Sequence, residues 1–322
     1  MIKTVVTAVT LALASLGSAQ AAQLNLGLAG ANVFTLGDFK ASSSDVEGSI
    51  IAAGNVTFSG YSVNANNVDA AGHYSLIVGG NLDASNGSIN NGDVWVGGTS
   101  KIAQSVGGKA NVTVGGTAPG DLLKLSAYEK ERSLALNALS NTGSAKVEYQ
   151  GLVISGSASK GNTVEVIDIT SAQLDAINNF KFSDLVSSKV GGRSASSSTL
   201  ILNVSGTNVT LNGGYQDLAK YNVLFNFYEA TTLTINTGVW GSILAPLATV
   251  TSNNGVVNGD VVVGNWLSNT QINTGNAFAA VDVNGLAVSA VPEANTYAML
   301  LAGLGMIGFI GLRRRKSAKL EY

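Results

Sequence analysis

The chain has 322 residues, of which 45% are hydrophobic and only 12% charged, with a formal net charge of −2. So small a charge excludes an electrostatic nucleic-acid footprint and adhesion to anionic lipid by charge alone. With no cysteine, thiol chemistry and disulfides are excluded too, so an exported fold must rest on its own apolar core.

The first element reads as an export signal. Lys3 supplies a positive n-region, residues 5–16 an apolar stretch, and Ala19-Gln20-Ala21 a small-residue site with Ala19 and Ala21 at the recognition positions. A signal peptide over residues 1–21 is predicted, with the mature chain beginning at Ala22. The body, residues 22–288, holds about 270 residues, ample for one large core. The 39 glycines of the full chain, with abundant Ser, Thr, Asn and Val, predict short strands separated by tight turns.

A repeat follows. Ile51-Ala52-Ala53-Gly54-Asn55, Ile77-Val78-Gly79-Gly80-Asn81, Trp95-Val96-Gly97-Gly98-Thr99 and Thr113-Val114-Gly115-Gly116-Thr117 are versions of one phrase, and the last three start 18 residues apart. The first gap, 26 residues, is one period plus an excursion placed around residues 61–72. Gly241-Ser242-Ile243-Leu244-Ala245 and Gly259-Asp260-Val261-Val262-Val263 repeat the 18-residue step, and counting back from Gly241 reaches Val223. A short fixed period with one β-rich phrase predicts a mainly β fold, a parallel β-helix (solenoid) of about 18-residue coils. A β-sandwich is the competing architecture. The solenoid predicts stacked ladders containing Ile51, Ile77, Val96, Val114, Ile243 and Val262, pointing inward with a slip of one position allowed.

Between the two repeat regions, residues 121–139 carry Leu122, Leu125, Tyr128, Leu136 and Leu139, which predicts one long helix packed alongside, capped by Asp121 and followed by Gly143. Glu129 and Arg132, three apart, read as a solvated pair. Thr170 and Gln173 predict a capping box before a shorter helix through Ile177. Residues 164–169 and 200–204 read as strands, and residues 187–198, rich in Gly and Ser, as a mobile loop.

Chemistry-bearing residues are sparse. The single histidine, His73, reads as a surface residue, and the acids Asp45, Glu47, Asp69, Asp83 and Asp93 fall at unequal offsets in the repeat. No convergent titratable cluster emerges, so the sequence predicts no catalytic residue, no enzyme, no metal site and no cofactor. Calcium binding stays open, although the Gly-rich nonapeptide pattern of calcium-loaded solenoids is absent. Val78-Gly79-Gly80-Asn81 lacks the lysine and the helix of a phosphate loop. Tyr61 and Tyr74, with Trp95, Trp240 and Trp266, are candidates to stack on sugar rings. Thr232 and Thr234 are candidates for a threonine rank on a flat face, which Thr249-Val250-Thr251 continues in part and Leu267-Ser268-Asn269-Thr270 breaks.

The last segment, residues 289–322, reads as a sorting signal. Val291-Pro292-Glu293-Ala294 precedes an apolar run over residues 297–312, and Arg313-Arg314-Arg315-Lys316 closes it. At 1.5 Å per residue the predicted transmembrane helix spans about 24 Å, short of a bilayer core of roughly 30 Å. Such a segment holds a chain transiently and orients it with the basic residues 313–316 inside. A plain tail anchor is the alternative.

This tail resembles the PEP-CTERM signal, with Pro292, Glu293 and the Gly-rich apolar core matching and Ala294 in place of the second proline. The resemblance implies processing by an exosortase-type enzyme in a Gram-negative bacterium that makes exopolysaccharide. It implies an inner-membrane-attached precursor and then a cell-surface or matrix location. The run Ala29-Gly30-Ala31-Asn32-Val33-Phe34-Thr35-Leu36-Gly37-Asp38, continuing to Asn55, is similar to the opening of the choice-of-anchor A family. Gly241-Ser242-Ile243-Leu244-Ala245-Pro246 and Asn258-Gly259-Asp260-Val261 are similar to its closing coils. That resemblance implies an adhesive role toward cells, biofilm or extracellular polysaccharide. A helix-flanked solenoid also resembles bacterial ice-binding proteins, so ice binding through a threonine-bearing face is the second expectation.

Overall fold

The computed structural model describes residues 21–28, 30–66, 72–107, 110–188 and 196–287. The signal peptide, apart from Ala21, and the whole sorting segment lie outside these residues, as does most of the predicted Gly/Ser loop. Among the described residues no helix is long and apolar enough to cross a membrane.

Ten strands make one parallel ladder along a side of the molecule. From tip to base these are Val112–Val114, Asp93–Val96, Tyr74–Val78, Ile50–Ala52, Val33–Thr35, Val261–Leu267, Ser242–Val250, Asn222–Asn226, Thr199–Ser205 and Val164–Thr170. The solenoid is therefore present, but its coils do not follow chain order. The chain starts in the middle at Val33 and winds to the tip at Val114. A long helix returns it to the base, and the second half climbs until Val261 docks against Val33.

The 18-residue step holds where the phrases predict it: Val112 pairs with Val94, Val94 with Leu76, and Val261 with Ile243. The excursion lies later than residue 61. Tyr61 and Val63 still pair in register with Gly87 and Ile89, so the extra residues follow Val63.

Coil stacking explains the repeated phrase. A Cβ on Gly97 would sit 2.5 Å from the Gly79 carbonyl oxygen, and one on Gly80 would sit 2.6 Å from Asn55 Oδ1. Only glycine lets successive corners approach this closely.

Each coil has three sides. On the ladder above, alternate residues point to opposite faces. Val96 and Ile243 enter the interior with Val33, Leu76, Val78 and Val94. Ile51, Ile77 and Val262 point outward with Phe34, Leu224 and Leu244, yet are buried by a second apolar layer. The six-residue expectation thus splits across the two faces of one sheet. Val114 aligns with the inward row but is 54% exposed, because it ends the stack. Burial on both faces is why these strands read as unbroken apolar runs.

The covering layer is the helix Leu122–Asn137 with the strands Ala22–Leu24 and Val281–Val283, which pair antiparallel. Asp121 caps the helix through a 3.0 Å bond from Lys124 N–H to Oδ1. The helix ends at Ala138 in a right-handed conformation, so Gly143 is not its cap. Its hydrogen bonds trace a descent: Ser133 reaches Asn226, and Asn203 donates to the Leu136 carbonyl.

One expectation fails here. Glu129 and Arg132 are not solvated; they are 0% and 1% exposed, paired at 3.1 Å against the solenoid side of the helix. The Thr170–Gln173 capping box is present, opening the short helix Ser171–Asp175. A three-stranded sheet of Ser144–Glu148, Gly151–Ser155 and Asn179–Ser183 covers the base, with Leu152, Ile154 and Phe180 buried in the main core.

Candidate ligand-binding face

The second side of the solenoid is left uncovered by the described residues. Toward the tip it is built by Ser100–Ile102, Leu82–Ala84, Val56–Val63 and Phe39–Asp45, and toward the base by Thr232–Ile235 and Asn208–Leu211. The second halves of Val261–Leu267 and Ser242–Val250 join the two groups. Phe39, Val56, Leu82, Val209, Leu233, Val250 and Trp266 point inward and are fully buried. Their neighbours on each strand point to solvent, so the face is the polar half of a period-2 pattern.

One outward column is committed to the fold. Asn265 Oδ1 accepts from Asp38 N–H at 2.9 Å, and Asp38 Oδ1 accepts from Asn55 N–H at 2.7 Å. Asn55 Oδ1 accepts from Asn81 N–H at 2.9 Å, and Asn81 Oδ1 accepts from Thr99 N–H at 2.8 Å. Each side chain thereby satisfies a backbone donor of the neighbouring coil, at a corner where no strand partner is available. The amide of Asn265 continues the run to Thr249 Oγ1 at 3.2 Å.

The next column is free to meet a ligand. From base to tip it holds Thr210, Thr234, Thr251, Leu267, Lys40, Thr57, Asp83 and Lys101. Lys101 pairs with Asp83 at 3.3 Å, both well exposed, a contact worth little to stability. Beside it runs a row of hydroxyls and amides, in which Ser42 Oγ donates to Asn269 Oδ1 at 2.9 Å and Asn269 donates to Asn253.

Thr232 and Thr234 both point out of this face, half-buried, and the structure brings them level with Thr249 and Thr210 respectively. The two tyrosines do not belong to it. Tyr61 is 0% exposed inside the coil, edge-on to Phe39 at 5.8 Å, where burial and the nearby Asp45 carboxylate raise its phenol far above the ordinary range. The phrase period gave no face to Tyr61, and its alternation from Phe58 across the Gly60 bend points it inward. Tyr74 is half-buried in the helix-covered layer, with its ring tilted against that of His73 at a centroid distance of 4.1 Å. Trp266 is fully buried and Trp95 nearly so, with its indole N–H bonded to the Gly115 carbonyl at 3.0 Å. The sugar-stacking expectation therefore fails for Tyr61, Trp95 and Trp266.

His73 is exposed at a corner, 3.7 Å from Asp93. Among the described residues no group of three or more His, Asp or Glu side chains converges as a metal site. Sequence reasoning missed Lys40, Thr57, Asp83 and Lys101 as outward neighbours of the threonines. Alignment of Asp38-Phe39-Lys40 with Asn55-Val56-Thr57 and Asn81-Leu82-Asp83 carries that signal.

Two family models match the chain. One, described as "Putative Ice-binding-like adhesive domain", covers residues 26–274, and the PEP-CTERM protein-sorting motif covers residues 290–316. No curated protein matches the chain in sequence. Among solved structures, an ice-binding protein from the Antarctic ascomycete Antarctomyces psychrotrophicus is similar at 11% identity, over 79% of this chain and 98% of that one, with a TM-score of 0.30. The matched models describe adhesive and sorting domains rather than enzymes, and together they mark an exported surface protein sorted by an exosortase-type system. By its match over most of its length, the chain belongs to the ice-binding-like adhesive domain family and carries a PEP-CTERM sorting motif after that domain.

Proposed function

We propose that the chain is an adhesin of the cell surface or extracellular matrix, which holds extracellular polysaccharide or a cell-surface glycan on its flat uncovered face. The observation that carries this reading is the mixed outward column of Thr234, Leu267, Lys40, Thr57, Asp83 and Lys101 beside a row of hydroxyls and amides. Such groups repeat at about 4.8 Å along the stack and suit an extended polymer of hydroxyls. Each contact is weak, and many copies on one surface supply the strength. The precursor is held transiently in the inner membrane by residues 297–312 until an exosortase-type enzyme acts near Pro292.

The test is binding of the full chain to an exopolysaccharide panel, repeated with Thr57→Lys and Thr234→Lys. Wild-type binding reduced several-fold by both variants supports the face; unchanged binding in the variants removes it. No binding to any glycan or cell surface removes the adhesive reading.

A second reading has its own observation. Thr232 and Thr234 lie in register with Thr249 and Thr251, with Thr210 below, a two-column grid of threonines over three coils. Ice binding through it predicts crystal shaping that disappears when Thr232 and Thr234 are replaced by arginine. Leu267 and Lys40 end the grid on the next coils, which favours the adhesive reading.

A further inference from the structure

The two ends of the solenoid differ. The base is covered by the sheet of Ser144–Glu148, Gly151–Ser155 and Asn179–Ser183. The tip ends in three strand edges. The short helix Gln104–Gly107 packs on Gly87–Ile89, with Val106 1% exposed, and closes the first. Ser100–Ile102 carries Lys101 at its centre, a charge that discourages strand pairing. Val112–Val114 has neither protection among the described residues.

Only half of its backbone is used. Val94 N–H donates to the Asn111 carbonyl, and Gly115 N–H donates to the Val96 carbonyl, so positions 111, 113 and 115 face the coil below. By the two-residue period, the N–H and C=O groups of Val112 and Val114 face away from the molecule. Their side chains continue the interior column of Val94 and Val96 but are 41% and 54% exposed. Gly115 and Gly116, both left-handed and in open space, then end the strand.

This edge lies at the end opposite the chain's attachment. Ala22 pairs with Val283, Asn222 binds Ala279, and Gly285 lies by Leu139 near the base, while the sorting motif begins at residue 290. Attachment of the surface form through its C-terminal end keeps the base inward and presents the tip outward.

We propose that the Val112–Val114 edge pairs with the same edge of a second copy, tip to tip, joining chains carried on facing surfaces. The proposal rests on the adhesive reading and names a partner for it. An antiparallel alignment about Thr113 sets Val112 of each copy against Val114 of the other and allows about four backbone hydrogen bonds. Asn111, Val112, Thr113 and Val114 carry no charge, so two identical edges meet without repulsion. The exposed valines close over one another and complete the interior column. Because the base is covered, head-to-tail stacking has no edge to join, and the contact closes at two copies. A three-residue edge is weak alone and depends on many copies acting together.

The experiment mixes two fluorescently distinct populations of the exporting cell, each displaying the full chain, and counts mixed clusters. Val114→Pro removes an outward N–H and leaves the internal ladder intact; Val114→Lys places a charge at the edge. Mixed clusters are expected to fall to the level of cells lacking the chain, even when only one population carries either variant. Because one variant acts on the backbone and the other on the side chain, loss of surface display by one leaves the other to decide. Clustering of a displayed variant at the wild-type level overturns the proposal, as does wild-type clustering with cells that lack the chain. Polysaccharide binding on the same cells separates the two readings: retained binding with lost clustering supports the tip contact. Clustering without any polysaccharide binding rejects the flat-face reading and leaves the tip standing.

Discussion

Val33 and Val261 lie side by side as parallel strand partners, so the first coil of the chain rests directly on the last. Both are fully buried. The seam makes two half-solenoids into one cooperative stack, whereas an ordinary repeat array gains stability by neighbours alone. Val33→Asp or Val261→Asp leaves an unpaired charge in the core and is expected to cost about 3 kcal/mol or more. Hydrogen exchange should then show protection lost on both sides of the seam, in Asp93–Val96 and in Asn222–Asn226. Loss confined to one half would show that the halves fold independently.

Glu129 titrates in the wrong environment for a carboxylate. Burial pushes its pKa up to about 8, against the opposing pull of Arg132. The unfolded chain releases this proton near the ordinary carboxylate value of 4.5 while the folded chain keeps it. Between those values the folded state binds more protons, so stability falls as pH rises from about 4.5 to about 8. Melting temperatures across this window should decline in the wild type and lose most of that slope in Glu129→Gln. An unchanged slope in the variant would assign the dependence to another group.

The corner column makes a quieter claim. Asn55 Oδ1 accepts from the Asn81 backbone, and its own amide donates to Asp38 at 3.1 Å. Asn55→Ala removes both links in an exposed setting, where water replaces part of what is lost. A cost of about 1 kcal/mol is expected, read as a lowered denaturation midpoint with an unchanged slope.

The period was legible because stacking forces the same residue type onto the same corner. Gly79 and Gly97 have no room for a Cβ, and Asn55 and Asn81 serve the next coil's backbone. The order of coils was not legible: Val33 and Val261 sit in ordinary phrases, and nothing local marks them as each other's neighbours. Tyr61 was misplaced because a period locates a coil but not which side of a bent strand faces inward. Glu129 and Arg132 were readable after all. With Leu122, Leu125 and Leu136 they follow one stripe at steps of three and four, which places the pair on the helix's buried face. The open face was legible only in its C-terminal half, in Thr232 and Thr234 and their partial continuation Thr249-Val250-Thr251, since Lys40, Thr57, Asp83 and Lys101 come from the half of the chain that stacks on it only through the seam.

The sorting motif, residues 290–316, follows a body whose strand Val281–Val283 is tied to Ala22–Leu24. The Pro292-Glu293 pair follows Val283, the last residue of that clamp, by nine positions in the chain. Processing there is expected to remove Arg313, Arg314 and Arg315 from the surface form, so its intact mass should lack the basic end. Pro292→Ala with Glu293→Ala should accumulate the uncleaved precursor in the inner membrane. The folded body should be untouched, with the same melting temperature, because every strand of the described stack precedes these two residues in the chain. A surface form that retains Tyr322 would establish instead that the apolar segment is a lasting anchor. The same measurement on Val283→Pro, which breaks the clamp, asks whether the enzyme needs the folded body beside its site. Slower processing is expected if the clamp positions the signal, and an unchanged rate if the tail is read alone.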